Sequence, residues 1–261
     1  WAGRVFFEDA ALEGTADHLA PSRSHPLMTP NPTSFQLYLK QAGKEPVHWD
    51  TNAAIRGYKL YWHQAANFPW RKDEAEFKDN VDRKIRPLKA GSVFDGRIRF
   101  KNLSGVELGA LLKVFSLAAE DRELCFKIGQ GKGIGLGSVR IDAELVLIDE
   151  VQGYAQLFAE NGDWNTAEKK APMEEYLKAF DDVIARLDEK ERTRYELSQQ
   201  ALLDLLDWKA TEQKDWAART RQMTLGSDKN PDEAFDKGVK QFRNRWVLPT
   251  AHEVYSEGKG K

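Results

Sequence analysis

Between Cys125 and Arg140 glycine recurs at every second position, as Gly129, Gly131, Gly133, Gly135 and Gly137. Glycine accepts positive φ without steric cost, so such a run can bend closely around another chain or an anion. Two cations, Lys127 and Lys132, sit beside or within it. An apolar, helix-like segment (104–117) precedes the run and a strand-like one (139–148) follows. A folded core therefore holds both ends, which argues against a flexible linker. The bland alternative is a purely structural turn.

The chain has 261 residues, 41% of them hydrophobic, enough to bury a sizeable core as one large domain or a domain with an appendage. Its 39 Lys and Arg against 41 Asp and Glu give no global attraction to a polyanion, while leaving room for a local basic face. The single cysteine, Cys125, excludes an internal disulfide framework and a cysteine-rich zinc site, fits a reducing cytosol, and reads as a small buried hydrophobe. No apolar run reaches the ~20 residues that span a bilayer, and Trp-Ala-Gly-Arg is not a signal-peptide start. The expectation is a soluble, cytoplasmic protein. The first residue is Trp rather than Met, as in a piece of a longer polypeptide.

In chain order, residues 4–8 have strand composition, and the stretch from Asp9 to Thr33 reads as a long surface loop. Ser34–Lys40 alternates Phe35, Leu37 and Leu39 with polar residues, the pattern of a half-buried strand, and a turn follows at residues 42–44. Residues 56–63, Arg-Gly-Tyr-Lys-Leu-Tyr-Trp-His, combine cations, aromatics and a histidine. Residues 71–89 read as a solvated charged surface. Val93–Phe100 alternates, with Phe94, Ile98 and Phe100 on a core face and Arg97 and Arg99 on the other. Ser104 and Glu107 form a capping box for a helix with Val106, Leu108, Leu111, Leu112, Phe115 and Val114 inward. After the glycine run, Val139, Ile141, Ala143, Leu145 and Leu147 alternate as a strand. This order of strand, helix, glycine loop and strand matches the second half of a ferredoxin-like α+β unit. Residues 172–187 and 194–217 carry helical periodicity and predict two helices. Residues 242–249 read as an irregular segment docked by its aromatics, and the tail beyond them as disordered.

Most catalytic constellations fail on spacing. A P-loop needs Gly-x-x-x-x-Gly-Lys-Ser/Thr, but Phe126 stands where the first glycine should be and Gly133 where the hydroxyl should be. A dinucleotide fingerprint should follow a strand and open a helix, whereas this run is read as following a helix and preceding a strand. What remains is a glycine hairpin whose amides and lysines run beside a phosphodiester backbone without reading sequence. The five histidines are scattered, with no metal-ligand spacing. His63 reads first as a packing histidine, with a general base or an RNA contact as its functional alternatives. No metal, cofactor or catalytic residue is assigned.

The block from Phe94 to Leu112, followed by Lys127 to Ile141, resembles the RAMP superfamily of CRISPR-associated proteins, and the 56–63 segment resembles a third block of that group. The match is closest to the backbone subunits of type III effectors and to the related fused single-chain effectors. Together the blocks cover about a quarter of the chain, in the family's order. The resemblance implies a ferredoxin-like, RRM-like fold whose glycine-rich loop contacts guide RNA. It also implies guide RNA, target RNA and other effector subunits or domains as partners, and a role in antiviral defence. Carried over, the RNA-binding residues are Gly129, Gly131, Lys132, Gly133, Gly135, Gly137 and Ser138, with Lys59 and His63. Arg97 and Arg99 join them as cations opposite the core face. The family's first strand and helix would precede Trp1, and its catalytic aspartate loop has no counterpart here.

The expected organisation is a RAMP ferredoxin-like core with long insert loops over 1–160, a helical appendage over 161–249 and a tail over 250–261. The leading function is a guide-RNA-binding structural module without chemistry of its own. Two alternatives stand beside it: an endoribonuclease processing precursor CRISPR RNA with His63 as base, and a protein-interaction scaffold built on the helices within 172–217.

Overall fold

The computed structural model describes residues 3–23, 35–41, 47–65, 84–118, 121–220 and 249–256. Along these the chain forms β1 (Val5–Phe7), β2 (Ala11–Leu12), β3 (Ser22–Arg23), β4 (Lys84–Ile85), β5 (Phe94–Asp95), β6 (Ile98–Phe100), α1 (Gly105–Phe115), β7 (Phe126–Lys127), β8 (Ser138–Val139), β9 (Val146–Ile148), α2 (Glu150–Ala155), β10 (Glu168–Lys170), α3 (Glu174–Ala185), α4 (Glu189–Leu206), α5 (Trp216–Arg219) and α6 (Ala251–Ser256). The architecture is mixed α and β. Its strands join in two-stranded antiparallel pairs, β1 with β6, β2 with β5, β3 with β4, β7 with β8 and β9 with β10. Two compact units interleave along the sequence.

The first unit comprises Trp1–Glu13, Val93–Glu120 and Arg140–Leu197. Helix α1 starts at the capping box expected for it: Ser104 Oγ accepts from the Glu107 amide, and Glu107 Oε2 accepts from the Ser104 amide at 2.8 Å. The Arg4 guanidinium bonds the same carboxylate and the Asn102 carbonyl, fastening the start of β1 to the start of the helix. Helices α1 and α3 cross at Gly109, where an added Cβ would lie 1.9 Å from the Tyr176 carbonyl oxygen. Around that crossing Leu108, Leu112 and Leu145 form the buried cluster, with Phe100, Leu103, Leu147, Met173, Tyr176 and Leu177 packed on it. Burying each such leucine stabilises by roughly 1.5–3 kcal/mol. Val106 and Val114, expected inward, are exposed because this contact takes only the narrower stripe through Leu108 and Leu112.

The second unit comprises Gly14–Ser92, Asp121–Val139 and Ser198–Lys261. The segment before β7 bonds to the end of α4, the Cys125 amide reaching the Leu206 carbonyl (2.9 Å) and the Trp208 amide the Glu123 carbonyl (2.7 Å). Ala210, Trp216, Val254 and Tyr255 make its buried apolar cluster, with Trp62 packed against them. Beside it Asp204, fully buried, accepts from Arg122 Nη1 (2.9 Å) and Gln200 Nε2 (2.8 Å), while Asp207 accepts from the Tyr255 hydroxyl at 2.6 Å. These bonds offset what burying two carboxylates would otherwise cost.

Several expectations are corrected. Phe35–Leu37 is a 3-10 turn rather than a strand; Phe35 and Leu39 are buried, a spacing of four that one helical turn meets as well as alternation does. The long loop expected from Asp9 is partly ordered by pairing: Ala11 opposes Asp95, His18 opposes Leu88 and Ser22 opposes Ile85. Ladders of two residues are too short to leave a period in the sequence. The strand over 93–100 is interrupted at Gly96 and Arg97, with Phe94 exposed, and the one over 139–148 keeps ladder pairing only in β8 and β9. The helix expected over 194–217 ends as α4 at Leu206, then gives way to a 3-10 turn, Trp208–Glu212, and α5. Residues 140–197 fall in the first unit, where β10 pairs with β9 and α3 packs on α1. The turn at 42–44, residues 24–34, 71–83 and 242–248, and the tail from 257 lie outside the described residues.

Candidate nucleic-acid interface

The glycine run closes a hairpin. Phe126 pairs with Val139 and Lys127 with Ser138, and the Ile128 amide extends the ladder to the Gly137 carbonyl at 2.9 Å. The run therefore follows a strand, not α1 directly, because the short β7 carries too few residues to show a period. Within the loop, Lys132–Ile134 forms one 3-10 turn set between Gly131 and Gly135, both left-handed. The amides of Ile134 and Leu136 converge on the Gly131 carbonyl at 3.0 and 3.1 Å. Two positions require glycine outright. Gly137 has φ +77°, and a Cβ there would stand 2.0 Å from the Ile128 carbonyl oxygen. Gly131 has φ +74°, and its Cβ would press on Leu136.

The donors of the loop are unevenly used. None of the amides from Gly129 to Gly133 donates to a described residue. Lys127, by contrast, folds back over the loop and donates from Nζ to the Gly135 and Leu136 carbonyls at 3.1 and 2.9 Å. Burial lowers its ammonium pKa to about 8. It is an internal clamp. Lys132 Nζ, on the loop's outer side, donates to the Gly129 carbonyl at 2.8 Å.

The 56–63 segment lies along this loop through alternate side chains. Tyr61 rests on Gly133, where an added Cβ would meet its ring at 3.2 Å, and Lys59 Nζ stands 5.2 Å above the centroid of that ring. His63, with no exposed surface, reaches the hairpin itself. Its Nε2 lies 2.9 Å from the Cys125 carbonyl, which can only accept, so the ring proton sits on Nε2. The bare Nδ1 then accepts from the Ser138 hydroxyl at 2.8 Å. Burial lowers the imidazole pKa to about 4, so the ring is neutral at ordinary pH. Trp208 packs edge-on against it and Trp216 Nε1 donates to the His63 carbonyl.

The candidate residues thus divide into two groups. Gly129, Gly131, Lys132, Gly133, Gly135, Gly137, Ser138, Lys59 and His63 are gathered at one hairpin in the second unit. Of these, His63 and Ser138 hold each other inside and position the loop, so His63 offers no side-chain surface to a bound strand and no base to an approaching substrate. Arg97 and Arg99 belong to the first unit, exposed as expected. Their charge is locally met: Arg99 is ion-paired with Glu8, and Arg97 Nη1 lies 3.5 Å from Glu168 Oε1. Lys59 and Lys132 have no carboxylate partner among the described residues.

Sequence reasoning did not find the Lys127 clamp or the seat of Tyr61 on Gly133. Its place two residues before the first glycine marks Lys127 as a cation beside the run, but nothing in the spacing shows that it turns inward. No family model matches the chain, and no curated protein matches it. Among the described residues no three His, Cys, Asp or Glu side chains gather as metal ligands, and no helix is long and apolar enough to cross a membrane.

Proposed function

We propose that the chain is a guide-RNA-holding module of a type III-like, RNA-targeting CRISPR effector, with a RAMP-type ferredoxin-like ancestry for its β6–α1–β7–glycine loop–β8 order. The observation that carries the reading is the hairpin loop itself. A run of amides, Gly129 to Gly133, that donate to no described residue is flanked by two cations, Lys59 and Lys132, that no described carboxylate neutralises. Amides and unpaired ammonium groups are the donors that follow a ribose-phosphate backbone without reading its bases. Lys132 gives up only a carbonyl of its own loop to take a phosphate, a charge-assisted exchange.

The test is the salt dependence of binding to a short single-stranded RNA. Each phosphate neutralised on a single strand contributes about 0.7 to the slope of log affinity against log salt. Lys132→Ala and Lys59→Ala are each expected to flatten that slope by about 0.7. A wild-type chain that binds no RNA, or variants with the wild-type slope, would overturn the reading. His63→Gln is not expected to abolish a cleavage activity, since both ring nitrogens are already engaged inside the hairpin.

A further inference from the structure

The segment that seats Tyr61 on the loop carries a second aromatic whose environment is the reverse. Tyr58 is 100% exposed, the extreme among the large hydrophobic side chains described. It follows Gly57, which has φ +118° and open space where a Cβ would stand. Lys59 follows it, and Arg56, two residues before it, has a buried Nη1 with no hydrogen-bond partner. A tyrosine ring left wholly in water forfeits roughly 1.5–3 kcal/mol that packing would recover. Nothing in the unit's apolar cluster draws it in, while Trp62, four residues on, is taken up there. Tyr58 lies three residues, at most ~10 Å of extended chain, from Tyr61 and hence from the loop amides.

Resting on the RNA reading above, we infer that Tyr58 is a base-stacking residue, so that the site takes unpaired rather than duplex RNA: the loop amides and lysines hold the phosphates while a base stacks on the Tyr58 ring. An aromatic face accepts any base, and its neighbouring cations serve the adjoining phosphate, so the contact is strand-selective and sequence-tolerant. In a duplex the same base face is buried in its own stack and the ring has nothing to cover.

The experiment uses the full chain, a labelled mixed-sequence RNA oligonucleotide, the same oligonucleotide with abasic riboses, and its duplex, each followed by fluorescence anisotropy. Wild type is expected to bind the base-bearing strand about tenfold or more above the abasic strand and the duplex. Tyr58→Ala should bring the base-bearing and abasic strands within about twofold of one another while leaving the salt slope unchanged, and Tyr58→Trp should keep the preference. Because the ring is wholly exposed, neither variant should alter the thermal melt, so a loss of binding cannot be ascribed to misfolding. If Tyr58→Ala keeps the preference for bases, the inference falls while the backbone-binding reading stands, and the ring is left as a protein contact. If wild type binds neither strand, the functional reading falls and this inference with it.

Discussion

At the scale of single residues, the loop's conformation is dictated by where a Cβ could not fit. Gly131 and Gly137 share a left-handed backbone but differ in what surrounds them. At Gly131 the obstructing atoms are side-chain carbons of Leu136, Cδ1 at 2.8 Å and Cβ at 3.2 Å, so Gly131→Ala is expected to cost about 1–2 kcal/mol of left-handed strain and a further amount for displacing that leucine. At Gly137 the obstruction is a backbone carbonyl already in the hairpin ladder. Gly137→Ala should therefore cost more than about 3 kcal/mol and weaken RNA binding together with stability, as urea midpoints and anisotropy would show. His63 supplies a pH signature. Its folded-state pKa, about 4, lies below the ordinary 6.5, so between these values the unfolded chain binds the extra proton and stability rises with pH. The contribution is fully present above about pH 6.5, reaches roughly 3 kcal/mol, and is lost as the pH falls toward 4. The stability advantage of wild type over His63→Gln should shrink across that window in urea melts, and an advantage independent of pH would show that the ring is not held neutral.

At the scale of elements, the short strands and the helices form for different reasons. Helix α1 carries its own start signal in Ser104 and Glu107 and its own apolar stripe, and it was legible from sequence to within a residue or two. The two-residue strands β3 and β4 carry none; they exist because distant segments meet. The α1–α3 crossing shows how closely that meeting can be set by one residue. Gly109→Ala would drive a Cβ into the Tyr176 carbonyl, and the helices must separate to accept it. The expected loss is about 3 kcal/mol, against about 1 kcal/mol for Ser104→Ala, which removes only one half of the capping box. Equal losses in denaturant melts would mean that the helices do not pack this closely.

At the scale of the whole chain, formal charge is −2, so long-range attraction contributes little and affinity for a polyanion must come from the local hairpin. With Lys59 and Lys132 as the two cations at the hairpin that no described carboxylate meets, the wild-type salt slope is expected near 1.4 in magnitude, and one several times steeper would place the binding elsewhere. The periodicities of α1 and α3, the glycine run, the capping box and the exposed arginines at positions 97 and 99 follow from the sequence alone, because each is a local pattern enforced by backbone geometry over a few residues. Which cations remain free was decided only in three dimensions. Glu8, beside the β1–β6 pairing, takes up Arg99, Glu168 takes up Arg97, and Lys127 turns onto its own loop. The pinning of His63 between Cys125 and Ser138 is likewise tertiary, since hydrogen bonds between residues more than sixty positions apart leave no spacing to read.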